Sequence, residues 1–165
     1  MPLLRNSPGP AAVPLAGAPL ALTPWALERP SAAMLGVALL RVALGTMFLA
    51  HSVLLKLLTY GLAGTASFFV GVGLPGWLAY LTFYAEAIGG LMLVLGIASR
   101  YVALALSPFL LGAWLVVHLG NGWVFTATGG GWEYPAYLFV LCIAQALLGD
   151  GAFALKPLRL PARSA

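Results

Sequence analysis

Scarcity of charge constrains this chain more than any other feature. Eight lysines and arginines and four aspartates and glutamates are spread over 165 residues, which makes the chain 7 % charged. An ordinary soluble domain carries about 25 %. Hydrophobic residues make up 62 % of the sequence, and the mean hydropathy is +0.99. A small globule has a large surface to cover with polar groups, and twelve charges cannot do it. A soluble single-domain enzyme is therefore excluded. Disorder is excluded for most of the chain, because it needs low hydrophobicity. What remains is an integral membrane protein whose first partner is the lipid bilayer, with room for about four spans of roughly 20 residues each.

Residues 1–31 read differently. Seven of the twelve prolines fall at positions 2, 8, 10, 14, 19, 24 and 30. Proline this dense removes helical hydrogen bonds, so a disordered Pro/Ala-rich tail is expected there. A secretory leader is the competing reading, but Pro14 and Pro19 cut its apolar core. Ser31 is placed to cap the first apolar segment. The expected transmembrane domain covers 32–155, with apolar segments at about 32–58, 77–98, 101–119 and 134–148. A short basic tail, 156–165, ends the chain. The spacer 59–76 is apolar but Gly-rich and too short to span, so a re-entrant or interfacial segment is expected. The fold class is all-α, an integral membrane four-helix bundle.

Basic residues orient it. Arg5, Arg29, Arg100, Lys156, Arg159 and Arg163 fall on one side of a four-span arrangement, whereas Lys56 and Glu133 fall on the other. The expectation is a multi-pass protein of the inner (cytoplasmic) membrane with both termini inside. The scattered cations form no basic run, so no nucleic-acid partner is expected. The single cysteine, Cys142, excludes an intrachain disulfide, a CxxC redox pair and a thiolate metal cluster.

Polar side chains inside apolar helices are costly and normally face a bundle interior. Arg41, His51, Lys56, Glu86 and His118 qualify, and Glu133 and Gln145 join them. By helix rise, Arg41 and Glu86 lie about 12 Å and about 18 Å from the inner end, so an arginine could reach the glutamate. That pair would serve either as a structural ion pair or as the charged floor of a ligand or proton site. Arg41, His51 and Lys56 fall within an arc of about 140° on the first helix. Lys56 could equally snorkel to the interface, and His51 could be a satisfied core histidine. His118 suits a helix-end role beside Gly120-Asn121-Gly122, and Glu133 a helix N-terminus, where the dipole favours a carboxylate. Gln145 is expected to hydrogen-bond across helices. Gly89-Gly90 permit close helix approach. Lys56, His51, Glu86, His118 and Glu133 could converge in the outer half of the bundle. There is no Walker loop, dinucleotide GxGxxG or HExxH.

The run Arg41-x3-Gly45-x2-Phe48-x2-His51 followed by Lys56-Leu57 resembles the first-helix signature of the DoxX family of small membrane proteins. Glu86-x2-Gly89-Gly90-x5-Gly96, with Arg100 following, resembles its second-helix motif. His118, Asn121-Gly122 and Gly129-Gly130-x2-Glu133-Tyr134-Pro135 resemble its third-helix end and last loop, and Gly149-x-Gly151 its closing motif. The resemblance covers about residues 34–156. Two departures stand out. Ser52 replaces a common glycine, and His51-to-Lys56 is one residue longer than usual, which would rotate the lysine by about 100°.

The family is similar to the membrane subunit of thiosulfate:quinone oxidoreductase. The resemblance implies quinone-linked redox chemistry in sulfur or oxidative-stress metabolism, by a quinone-dependent oxidoreductase or its membrane subunit. Its implied partners are a redox subunit and further copies of the chain, and its implied cofactor is a quinone. Glu86, His51 and His118 are then the candidate catalytic residues, because quinone reduction takes up protons as well as electrons. Arg41, Lys56, Glu133 and Gln145 are the candidate cofactor-binding residues, and no metal ligands are expected. The alternatives are a non-enzymatic membrane scaffold or assembly partner and a small transporter.

Overall fold

The computed structural model describes residues 30–157, so all but the last two residues of the tail expected at 1–31, and most of that expected at 156–165, lie outside the described residues. The described part is all-helical, and three of its helical rods are apolar over membrane-spanning lengths. Ser31 accepts a hydrogen bond from Met34 N–H at 3.3 Å and caps α1, Ala32–Leu49. The helix continues without a break into a π-wound stretch, Ala50–Thr59. Next come α2 (Gly61–Gly71), α3 (Trp77–Leu95) and α4 (Ser99–Gly112). α4 runs on into a second π-wound stretch, Ala113–His118, and a 3-10 turn, Leu119–Asn121. α5 is Glu133–Leu148.

Three of these helical rods are long and apolar enough to cross a bilayer: Ala32–Thr59, Trp77–Leu95 and Ser99–Asn121. α5 occupies the fourth expected segment with 16 residues. The spacer expected to be re-entrant or interfacial folds as the short helix α2, which lies against α3 and the π-wound end of α1. The expected break at Ser99-Arg100 sits earlier. Gly96 at φ 72° closes α3 and Ala98 at φ 50° reverses the chain. Gly96 N–H bonds Leu93 O and Ile97 N–H bonds Met92 O, a glycine C-cap.

α1, α3, α4 and α5 pack in a ring, each against the next, with α5 returning to α1. Leu44, Phe48, Leu93, Leu106, Leu110, Leu138 and Cys142 fill its centre. Leu39, Ile88, Leu104, Val140 and Leu147 point outward, where only lipid can receive so continuous an apolar surface. The tightest crossing is between α1 and α3. A Cβ on Gly45 would lie 2.7 Å from Gly90 O, and one on Gly90 would lie 2.9 Å from Gly45 O. Gly89, one residue earlier, takes the Leu106 side chain of α4. The two glycines thus let α3 approach two neighbours at once, as small residues do in membrane bundles.

The last described residues form a strap across one end of the ring. Ala152 N–H bonds Met34 O, Leu155 N–H bonds Leu95 O, and Lys156 N–H bonds Gly96 O, while Ala98 N–H returns to Lys156 O. This strap end gathers the start of α1, the end of α3 and the start of α4. The opposite, loop end carries α2 and residues 119–132.

Gly45→Val should lower thermal stability in detergent by about 1–3 kcal/mol, the usual cost of overpacking. Gly36→Ala, whose Cβ meets nothing within 4 Å, should leave the melting temperature unchanged or slightly higher. Equal melting of both variants would contradict the Gly45–Gly90 crossing.

Candidate functional site

Helix geometry decides which charges meet. A Cα–Cβ bond tilts toward the N-terminus of its helix. α1 starts at the strap end and α3 ends there, so the two run antiparallel. Arg41 therefore leans toward the strap, and Glu86 leans toward the loop end. Lys56, farther along the first rod, leans back toward the middle and meets Glu86. Its Nζ stands 2.5 Å from Glu86 Oε2, with the side chains 16 % and 9 % exposed. The expected Arg41–Glu86 pair does not form. Arg41 instead donates to two strap carbonyls, Asp150 O at 2.9 Å and Ala152 O at 3.2 Å.

π-winding sets the register of Lys56. A π-turn takes in one more residue than an α-turn, so within Ala50–Thr59 successive side chains step round the helix by a smaller angle than α-winding would give. Tyr60 N–H closes the stretch on Leu55 O, five residues back. Hydroxyls occupy carbonyls along it. Thr59 Oγ1 donates to Leu54 O at 2.7 Å, and Thr65 Oγ1 of α2 lies 3.2 Å from Lys56 O. Ser52 is fully buried, with Oγ 2.8 Å from Phe48 O. These hydroxyls were not among the sequence candidates. Their signal was three small hydroxyl residues spaced along an otherwise apolar run.

His51 is half-buried on the same stretch, with its ring 6.3 Å from that of Tyr134 on α5. Lys56 and His118 are both within electrostatic range of it. His118, on the second π-wound stretch, has Nδ1 2.9 Å from Gly130 O. A carbonyl only accepts, so Nδ1 carries a proton, and in the neutral ring Nε2 keeps its lone pair. Asn121 holds the same loop, its Nδ2 donating to Gly129 O and Gly130 O at 3.0 Å each. The glycines are required there. Gly129 and Gly130 have φ of 81° and 76°, and a Cβ on Gly131 would collide with the Trp123 and Val124 carbonyls. Glu133 opens α5 as expected, and among the described residues its carboxylate forms no ion pair. Trp114 stacks on Trp132 at 5.8 Å, and its buried indole N–H has no partner among the described groups.

The structure thus brings Lys56, Glu86, His51 and His118 to the loop end and sends Arg41 and Gln145 to the strap. Gln145, expected to bond across helices, is fully buried and donates from Nε2 to Gly149 O at the end of its own helix, at 2.6 Å. Among the described residues, no three His, Cys, Asp or Glu side chains group as a metal ligand set.

The DoxX family model matches residues 36–119. A curated relative from Bacillus subtilis (strain 168), named "Putative oxidoreductase CatD", is 35 % identical over 123 residues, covering 74 % of this chain and 86 % of its own. The chain belongs to the DoxX family. The family match takes in Arg41, His51, Lys56, Glu86 and His118 and stops before Glu133 and Gln145. No solved structure matches the chain.

Removing one member of the Lys56–Glu86 pair strands the other in an apolar bundle, at about 3–5 kcal/mol. Lys56→Met and Glu86→Gln should each lower the detergent melting temperature, and the double variant should fall less than the sum. Arg41→Gln combined with Glu86→Gln should be additive, because those residues share no partner. The reverse pattern would restore the Arg41–Glu86 pair.

Proposed function

We propose that this DoxX-family protein is a quinone-linked redox protein of the cytoplasmic membrane, or the membrane subunit of such an oxidoreductase, whose quinone headgroup sits among Lys56, Glu86, His51 and His118. The observation that carries the reading is the Lys56–Glu86 pair, held within the apolar spans beside two imidazoles. A charge pair is expensive there, and such residues commonly mark proton or substrate pathways. The name of the Bacillus subtilis relative, an oxidoreductase, points the same way.

The donor set suits a quinone. Its carbonyl oxygens accept hydrogen bonds, and the Lys56 ammonium and the Trp114 indole N–H are donors in apolar surroundings. The hydroxyls of its reduced form donate, and His118 Nε2 accepts. A bound quinone supplies a two-electron, two-proton acceptor. This chain's residues would hold the headgroup, exclude water and handle protons: Lys56 as the held proton, Glu86 as its counter-charge, and His118 Nε2 and His51 as exchange groups. Electrons would come from a partner redox subunit oxidising a reduced sulfur compound or a similar donor.

The proposed orientation places both termini in the cytoplasm. In support, the strap end carries Arg100 and Lys156 and the loop end Lys56 and Glu133, the charge asymmetry that orients membrane proteins. A reporter fused after Leu155 should read cytoplasmic and one inserted near Thr126 external. Opposite signals would reverse the topology.

Protein purified from native membrane should carry extractable quinone. Adding a short-chain quinone at about 100 times its Kd should stabilise it by about 2.7 kcal/mol, and Glu86→Gln should abolish that shift while remaining folded. Absence of both bound quinone and thermal shift would overturn the reading and favour a scaffold whose Lys56–Glu86 pair serves only to join α1 to α3.

A further inference from the structure

At the strap end, away from the proposed quinone site, three polar atoms are shut in without partners among the described groups: Arg41 Nε, Ser99 Oγ and Gln145 Oε1. Arg41 is 2 % exposed, and Ser99 and Gln145 are fully buried. All three residues are tied to the same two consecutive positions. Arg41 Nη1 donates to Asp150 O at 2.9 Å, Ser99 N–H donates to Asp150 Oδ1 at 2.9 Å, and Gln145 Nε2 donates to Gly149 O at 2.6 Å. The three unpartnered atoms thus belong to residues that are all anchored to one turn of the strap.

Their chemistry selects an occupant. Arg41 Nε–H can only donate. The Gln145 amide is fixed in orientation because Gly149 O can only accept, so its remaining atom is an oxygen, which also only accepts. Ser99 Oγ can do either. An anion would take the Arg41 proton but offer nothing to Gln145. A metal cation would take the oxygens but would face the guanidinium and leave Nε–H unmet. A neutral molecule that both donates and accepts meets all three, and the smallest is water.

We infer that the strap end holds one buried water bridging Arg41 Nε, Gln145 Oε1 and Ser99 Oγ. Three hydrogen bonds is the usual number for a buried water. Arg41 then joins α1 to the strap through two carbonyls directly and to α4 and α5 through the water. The water is part of the latch that closes this end of the ring.

The test uses the full-length chain in lipid nanodiscs with ¹⁵N-arginine, reading magnetisation transfer between water and Arg41 Nε–H. A cross-peak to a slowly exchanging water is expected in the wild type. It should vanish in Gln145→Met, which keeps the volume and removes both polar atoms. Ser99→Ala should retain it with about fivefold faster exchange, the effect of one lost hydrogen bond. If Gln145→Met does not fold, the wild type and Ser99→Ala decide between them. No cross-peak in the wild type, or one unchanged in every folded variant, overturns the inference. Quinone binding at the loop end plays no part in the readout.

Discussion

The bilayer offers no partner for a polar group, and the whole arrangement of this protein follows from that. Every charge carried into the spans must be satisfied by the chain itself. Two solutions appear, one at each end of the ring. At the loop end, Lys56 and Glu86 neutralise one another across α1 and α3. At the strap end, Arg41 is satisfied by backbone carbonyls brought over from the far end of the chain. Between them lies a core of leucines, Phe48 and Cys142. The ends are thus separate polar regions, one suited to ligand chemistry and one to closure of the fold.

The closeness of α1 and α3 makes the first solution possible. Gly45 and Gly90 bring the two backbones together, and the antiparallel sense of the helices makes Lys56 and Glu86 lean toward each other. Lys56 lies on the π-wound stretch, whose winding sets the direction of its side chain. Along that stretch the Thr59 hydroxyl donates to Leu54 O, and the Thr65 hydroxyl lies 3.0 Å from Gly61 O and 3.2 Å from Lys56 O. Both π-wound stretches carry a histidine, His51 on one and His118 on the other. Such irregular turns often occur at functional sites, consistent with the proposed quinone site.

The chemistry proposed for the loop end needs groups that hold protons without bulk water. The strap end needs the opposite, a permanent charge fixed by rigid acceptors. Arginine suits the second task because its guanidinium stays charged and presents several donors in fixed directions. Lysine suits the first, because its ammonium is a compact charge whose proton responds to its surroundings.

Much was legible in the sequence. Twelve charges in 165 residues required a membrane, the apolar runs located the helices, Ser31 marked the first cap, Gly89-Gly90 marked a close approach, and the motifs around His51, Glu86 and His118 pointed to the family. These are local or compositional signals, readable without knowing which helices touch. The identity of the charge partners was not legible. Depth along a helix made Arg41 and Glu86 look like neighbours, but side-chain tilt in antiparallel helices, π-winding around Lys56 and the return of the strap assigned Lys56 to Glu86 and Arg41 to Asp150 and Ala152. The sequence by itself determined that these charges had to be satisfied within the protein. Only the tertiary structure decided by what, because direction, winding and contacts between residues more than a hundred positions apart have no local signature in the chain.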